Sequence, residues 1–316
     1  MKGYVTDSTG VRWELPALRA WRMDYTDGVP CDSFSVCCLW NEKKNPTQPR
    51  QWVTFTAEYR GEVVFTGVVD ECRTTLDGRG SLLEVNGRGM AARLLDNEAL
   101  GQDYGVATQA DILRDHVRPY GISMAPGNQS LPAVPRFSVR TGSSEWAVLY
   151  QFARYHGGIL PRFDRLGRLV LADAQRGKNI TLDGSSPIRS IVRTDKRYGV
   201  LSRVLVRDRY SGAVQQVENG EFRAEGGMAR RVVTMPGRAG YQTMRRTGRF
   251  QLDCSREERL TIQVELAGER SAFCAFPGDQ VELDCRGFRG RYRIRACRVS
   301  QDEQGTITRL ELGELR

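Results

Sequence analysis

The chain has 316 residues, 40% of them hydrophobic, and a formal charge of +9. That length supports two or three domains with cores of their own. No stretch approaches the roughly 18 apolar residues of a membrane span, and Met1 to Pro16 holds no apolar secretory segment. The expectation is a protein made and assembled in a cytoplasm, with no membrane insertion by itself.

Strand composition opens the chain at Tyr4-Val5, Val11–Trp13 and Arg22–Asp24, and more strongly at Ser33–Trp40. The polar, proline-bearing segment Asn41–Arg50, with Lys43 and Lys44, reads as an exposed loop. Val53–Arg88 then has the pattern of a three-strand meander. Val53, Phe55 and Ala57 alternate with Thr54, Thr56 and Glu58, a turn falls at Tyr59-Arg60-Gly61-Glu62, and a long strand runs to a second turn at Asp77-Gly78-Arg79-Gly80.

Helical spacing follows. Met90–Leu95 predicts a short helix, and Thr108 caps a second one in which Asp111 stands three residues on, with Ile112, Leu113 and Val117 on one face and Pro119 and Gly121 at its end. After the unpatterned connection Met124–Arg136, Ser143 and Ser144 cap a third helix with Trp146, Leu149, Tyr150 and Ala153 on one face, ended by Gly157-Gly158. Ile159–Ala172 reads as a hairpin around Asp164–Gly167.

From Ile188 the pattern is β again, at Arg189–Arg193, Ser202–Asp208 and Arg231–Thr234, with Ser211–Gly227 as a hairpin tip or mobile loop. Leu260–Leu266 alternates cleanly and leads into Val281–Gly313, a second meander. It turns at Arg286–Gly290 and at Asp302–Gly305, nearly at the spacing of the first. The predicted fold is mainly β with an inserted α+β module and two tube-like β-barrel or sandwich domains per chain. The first barrel covers 1–95, the module 96–180 and the second barrel 181–316, since a meander with one apolar face must bury it against another sheet or close on itself.

Little in the chain points to catalysis. The eight cysteines, Cys31, Cys37, Cys38, Cys72, Cys254, Cys274, Cys285 and Cys297, form no CxxC, and His116 and His156 complete no ligand set. They read as reduced structural thiols, and neither a metal nor a cofactor is expected. Asp111 and Asp115 share a helix face and are the one candidate acid/base or metal pair; capping and solvation explain them more simply. Gly87-Arg88-Gly89 before a helix lacks the remaining features of a phosphate loop. No catalytic constellation is assigned.

Only five of the 47 basic residues are lysine. Arginine suits bidentate contact with carboxylates or phosphates, although a biased genomic base composition produces the same enrichment. The concentration at Arg291, Arg293 and Arg295, opposite Tyr292, Ile294 and Ala296, predicts a cationic strand face. It is either a nucleic-acid surface or, as we favour in the absence of aromatic rings for base stacking, an interface residue set paired with acidic strands such as Glu282 and Asp284.

Phe65-Thr66-Gly67-Val68-Val69, then Val85-Asn86-Gly87-Arg88, then Leu94-Leu95-Asp96 resemble the F-x-G-x-V strand, V-x-G-R strand and following helix of phage tail baseplate hub proteins, the late control gene D proteins of contractile tails, tailocins and prophages. Pro277–Val281, Gly290–Ile294 and the ending at Leu312 are similar to that family's last barrel, and Ser144–His156 to its middle module. Residues 211–250 match weakly. The resemblance implies a homotrimer whose six barrels adapt a six-fold tail tube to a three-fold spike. It also implies contacts with spike, tube, tape measure and baseplate wedge proteins, a place in a virion or tailocin particle, and no catalysis. Two other classes stay open at this point: a basic β-barrel that binds nucleic acid, and a cell-wall hydrolase using Asp111 and Asp115. For a hub, DNA contact would be weak at most.

Overall fold

The computed structural model describes all residues except 28–30, 42–46, 79, 157–158, 173–176, 258 and 316. Seven strands open the chain: β1 (Lys2–Asp7), β2 (Arg12–Glu14), β3 (Leu18–Thr26), β4 (Ser33–Leu39), β5 (Trp52–Tyr59), β6 (Glu62–Asp77) and β7 (Gly80–Gly89). Next come α1 (Ala92–Leu95), β8 (Gln102–Ala107), α2 (Gln109–His116), β9 (Val134–Val139), α3 (Glu145–Tyr155), β10 (Arg162–Phe163) and β11 (Leu169–Val170). The second half holds β12 (Asn179–Asp183), β13 (Ile188–Asp195), β14 (Arg203–Arg207), β15 (Val214–Glu218), α4 (Gly220–Ala224), β16 (Arg230–Thr234) and α5 (Tyr241–Glu257). It ends with β17 (Leu260–Ala267), β18 (Gln280–Cys285), β19 (Phe288–Asp302) and β20 (Gly305–Glu314).

The two meanders share one design. Each long strand hydrogen-bonds through its near half to the strand before it and through its far half to the strand after it. The switch falls at a bulge, between Val69 and Glu71 in β6 and between Ile294 and Ala296 in β19. One further bulge, between Ala57 and Glu58 in the pairing of β5 with β6, accounts for the extra residue of the first copy.

The correspondence extends beyond the meanders. The strand order β3-β4-β7-β6-β5-β1 is repeated as β13-β17-β20-β19-β18-β12, in the same chain order. Even the first hairpins bulge alike, between Leu18 and Ala20 and between Ile188 and Ser190. Bulges re-aim a strand and fix its register, so their recurrence marks a repeated backbone more strongly than matching letters do. One difference remains: β1 runs antiparallel to β5, whereas β12 runs parallel to β18.

Both Arg-Gly turns adopt one conformation. Arg60 and Gly61 have φ of 54° and 84°, and Arg286 and Gly287 have 52° and 86°. Two successive left-handed residues make the tight turn whose twist matches the flanking strands. The other expected turn contains Arg79, and the polar loop contains Lys43 and Lys44; these lie outside the described residues, as do Gly157-Gly158.

The two six-stranded units are not separate bodies. β3 pairs with the far half of β19, joining them into one 13-stranded sheet. Their apolar faces fill one core, in which Trp21 stacks on Phe273 at 5.5 Å and Tyr25 packs on Phe276 at 5.2 Å. Phe34 and Phe55 stack at 4.1 Å nearby. Each such ring, fully buried, contributes on the order of 2–3 kcal/mol.

The glycines of the strand motifs are explained by this packing. A Cβ on Gly87 would lie 2.0 Å from the Val68 carbonyl oxygen and 2.6 Å from the Phe34 ring, and one on Gly67 would lie 2.2 Å from the Arg88 oxygen.

A second core gathers α1, α2, α3 and the small sheets β8-β9 and β10-β11. Residues from the second half join it: Leu201, Val204, Val206, Val217, Val233, Met244 and Leu252 pack with Leu149 and Phe152. The segment between β13 and β17 therefore leaves the large sheet. The expected hairpin tip holds for Ser211–Ala213, in the turn between antiparallel β14 and β15; the rest of Ser211–Gly227 carries β15 and α4, with Phe222 buried. It is followed by α5, the longest helix among the described residues. Gly248 lets α5 approach the three-stranded sheet, since a Cβ there would meet Val217 at 2.6 Å.

Candidate assembly interface

β19 follows the predicted alternation up to Ile294 except at Arg293, which is buried, and the bulge then reverses the phase, so that Cys297 and Val299 are buried instead of Ala296. The arginines consequently have three fates. Arg291 is exposed, 3.9 Å from Glu282, and its neighbour Arg289 binds Asp284 at 2.8 Å. Arg295 donates to the Glu257 carbonyl at 3.1 Å.

Arg293 is buried and pairs with Asp27 at 2.5 Å, and its Nε finds no acceptor among the described residues. Beside it, burial pushes the Arg162 guanidinium down, opposed by the charge of Asp27. The expected continuous cationic face does not form: the middle arginine is buried against Asp27.

Beyond the bulge, the solvent side of β3, β19, β20, β17 and β13 forms a concavity of about 620 Å³. Its charges alternate in sign. Asp24 pairs with both Arg22 and Arg298, and Glu265 with both Arg189 and Arg309. Such a surface presents no net stripe of positive charge for a phosphate backbone.

Asp111 and Asp115 do not converge on a reactive position. Asp111 accepts from the Thr108 amide and hydroxyl in a capping box, and Arg114 binds Asp111 at 3.0 Å and Asp115 at 2.7 Å. The Thr108 hydroxyl foremost holds Asp111 below the ordinary carboxylate range, and the Arg114 guanidinium does so for Asp115. Neither is poised to hold a proton near neutral pH.

Sequence reasoning missed the group beside them. His116 Nδ1 lies 2.6 Å from Glu145 Oε2, its Nε2 lies 3.0 Å from the Tyr104 hydroxyl, and Tyr104 donates to Asp115 at 2.9 Å. Tyr120 donates to Glu145 at 2.7 Å. The network ties α2 to α3. No local signal could reveal it, because its members are brought together only by packing. Among the described residues no three His, Cys, Asp or Glu side chains gather as a metal site, and no disulfide links the cysteines.

Arg88 unites two of the sequence motifs. Its guanidinium takes both oxygens of Asp70 on β6 and both oxygens of Asp96 just after α1. The strand that closes the first meander is thereby clamped to the end of α1, whose Leu94 joins the second core.

The tail protein from Neisseria meningitidis MC58 superposes on this chain with a TM-score of 0.79, covering 99% of this chain and 96% of the other at 18% identity. The chain has the fold of a phage tail protein. The 43 kDa tail protein of prophage MuSo2 from Shewanella oneidensis shares this tail-protein fold, with a TM-score of 0.75 at 16% identity over 99% of this chain and 98% of that one. In sequence, the baseplate hub protein gp44 of Escherichia phage Mu is 29% identical over 125 residues. That match spans 38% of this chain and 33% of the hub protein, so about a third of the hub's length is covered. No family model matches the chain. The fold thus matches tail proteins over nearly the whole chain, and the likeness to a baseplate hub protein lies in sequence over 125 residues.

Proposed function

We propose that three copies of this chain form the structural hub of a phage-like tail baseplate and adapt a six-fold tail tube to a three-fold spike. The observation that carries this reading is the duplicated six-strand order, bulges included. A chain with two equivalent units lets a trimer present six equivalent positions. In this reading the first unit covers 1–95, the module 96–180 and the second unit 181–316, with the segment between β13 and β17 as an excursion from the second unit. Spike, tube, tape measure and wedge proteins are the partners, in a virion or tailocin particle. The chain acts as a scaffold and not as an enzyme.

The positive charge favours nucleic acid as a second partner class, but the arginines of the open sheet face are matched by carboxylates. Among the described residues no helix is long and apolar enough to cross a membrane.

Light scattering of the purified chain, alone and with a trimeric spike protein, tests the proposal. A three-chain species, or one formed on adding spike, is expected. A monomer that ignores the spike would overturn it. Tight, steeply salt-dependent binding of single-stranded DNA by the isolated chain would favour the nucleic-acid class instead.

A further inference from the structure

The seam between the two units has two counterparts that are not used among the described residues of the chain. In the seam, β3 faces the far half of β19, with Thr26 opposite Ala296, Asp24 opposite Arg298 and Trp21 opposite Gln301. Matching bulge to bulge makes β13 the equivalent of β3, and β6 beyond Val69 the equivalent of the far half of β19.

Among the described residues each equivalent has an open edge. β13 ends the large sheet, and β5 reaches only Val68 of β6, so that past the bulge β6 is paired with β7 alone among the described residues. From Arg73 to Asp77 every residue of β6 is exposed. The two edges stand seven strand steps apart in the sheet order, roughly 34 Å measured through the sheet, and do not pair with each other in one chain. An unpaired strand edge of this length is a template for another strand.

We infer that β13 of one copy pairs antiparallel with the far half of β6 in the next, repeating between chains the β3–β19 seam present inside each. The equivalence sets the register: Lys196 opposite Glu71, Thr194 opposite Arg73, Val192 opposite Thr75 and Ile191 opposite Leu76. Side-chain chemistry agrees with it. Lys196 and Glu71 are of opposite charge, and Leu76, 81% exposed in the single chain, gains an apolar neighbour in Ile191. Val192, 50% exposed, is covered as well.

Every copy carries one edge of each kind, so the contact is head-to-tail and must close into a ring or run on as a filament. Closure at three copies, with six equivalent seams, rests on the hub reading; the pairing itself does not.

The test uses the full chain carrying Arg73→Cys and Thr194→Cys, oxidised by copper phenanthroline and resolved on a denaturing gel without reductant. Linked chains that stop at three are expected in the double variant and in neither single variant. A ladder running past three would keep the pairing and reject the three-fold hub. No linkage, whatever the size of the species in solution, overturns the pairing. A second measurement guards against a misfolded cysteine variant. Lys196→Glu and Glu71→Lys should each raise the dissociation constant between chains about tenfold, and the two together should restore it. Unchanged association in both single variants also overturns the pairing.

Discussion

Arg293 and Asp27 meet at 2.5 Å with only 11% and 10% of their side chains exposed. Removing one partner of a buried pair leaves the other charge uncompensated, at a cost of about 3–5 kcal/mol. Arg293→Met and Asp27→Asn should each destabilise the chain on that scale in urea unfolding. Arg291→Glu, on an exposed side chain, should cost less than about 1 kcal/mol. Reversing Arg291, Arg293 and Arg295 together should therefore unfold the protein rather than merely block its assembly.

The two Arg-Gly turns offer a matched pair of substitutions. Gly61→Ala and Gly287→Ala each place a Cβ on a residue with φ near 85°. A left-handed L-residue costs about 1–2 kcal/mol. Each variant should lower the urea midpoint by a similar amount, since the two turns share one conformation; clearly unequal losses would show that the hairpins differ in how they are braced.

Asp32 supplies a pH dependence with a definite sign. Burial raises its carboxyl from 3.8 to about 7, against the Thr26 amide that donates to it at 2.8 Å, and the charges of Asp24 and Asp27 add to the rise. Between about pH 4 and pH 7 the folded chain thus binds a proton here that the unfolded chain has lost, so this group's contribution falls as pH rises through that window. It is fully present below about pH 4. Unfolding free energies measured across the window should slope less in Asp32→Asn than in the parent. Asp96, Asp111 and Asp115, held low by hydrogen bonds to arginine or threonine, act in the opposite direction at lower pH.

Thr108→Ala tests the cap of α2. The Asp111 amide donates to the Thr108 hydroxyl at 3.2 Å, and the loss of such a cap costs about 1 kcal/mol. Thermal unfolding should register that loss.

Local rules made much of the fold legible. Alternation located β5, β17 and the near half of β19, glycine located the tight turns, and Thr108 and Ser144 announced their helices. Non-local packing hid the rest. α5 escaped notice because its buried face carries Thr247, Gly248, Gln251 and Ser255 among its apolar residues, which blurs the helical period. The fate of Arg293 was illegible for another reason. Alternation puts it on the polar phase of the strand, and its partner Asp27 stands on a loop far away in sequence. Likewise, strand pattern suggested two meanders but could not show that β3 and β19 stitch them into one sheet.

The excursion between β13 and β17 has a kinetic corollary. In the first unit the equivalent strands, β3 and β4, are separated by the six residues from 27 to 32, whereas β13 and β17 are separated by the 64 residues from 196 to 259. For an unstructured connection that difference adds about 2 kcal/mol of closure entropy to the second hairpin. The amino-terminal half should zip up early and offer its finished β3 as a nucleation rail for β19, so that one twin acts as an internal chaperone for the other.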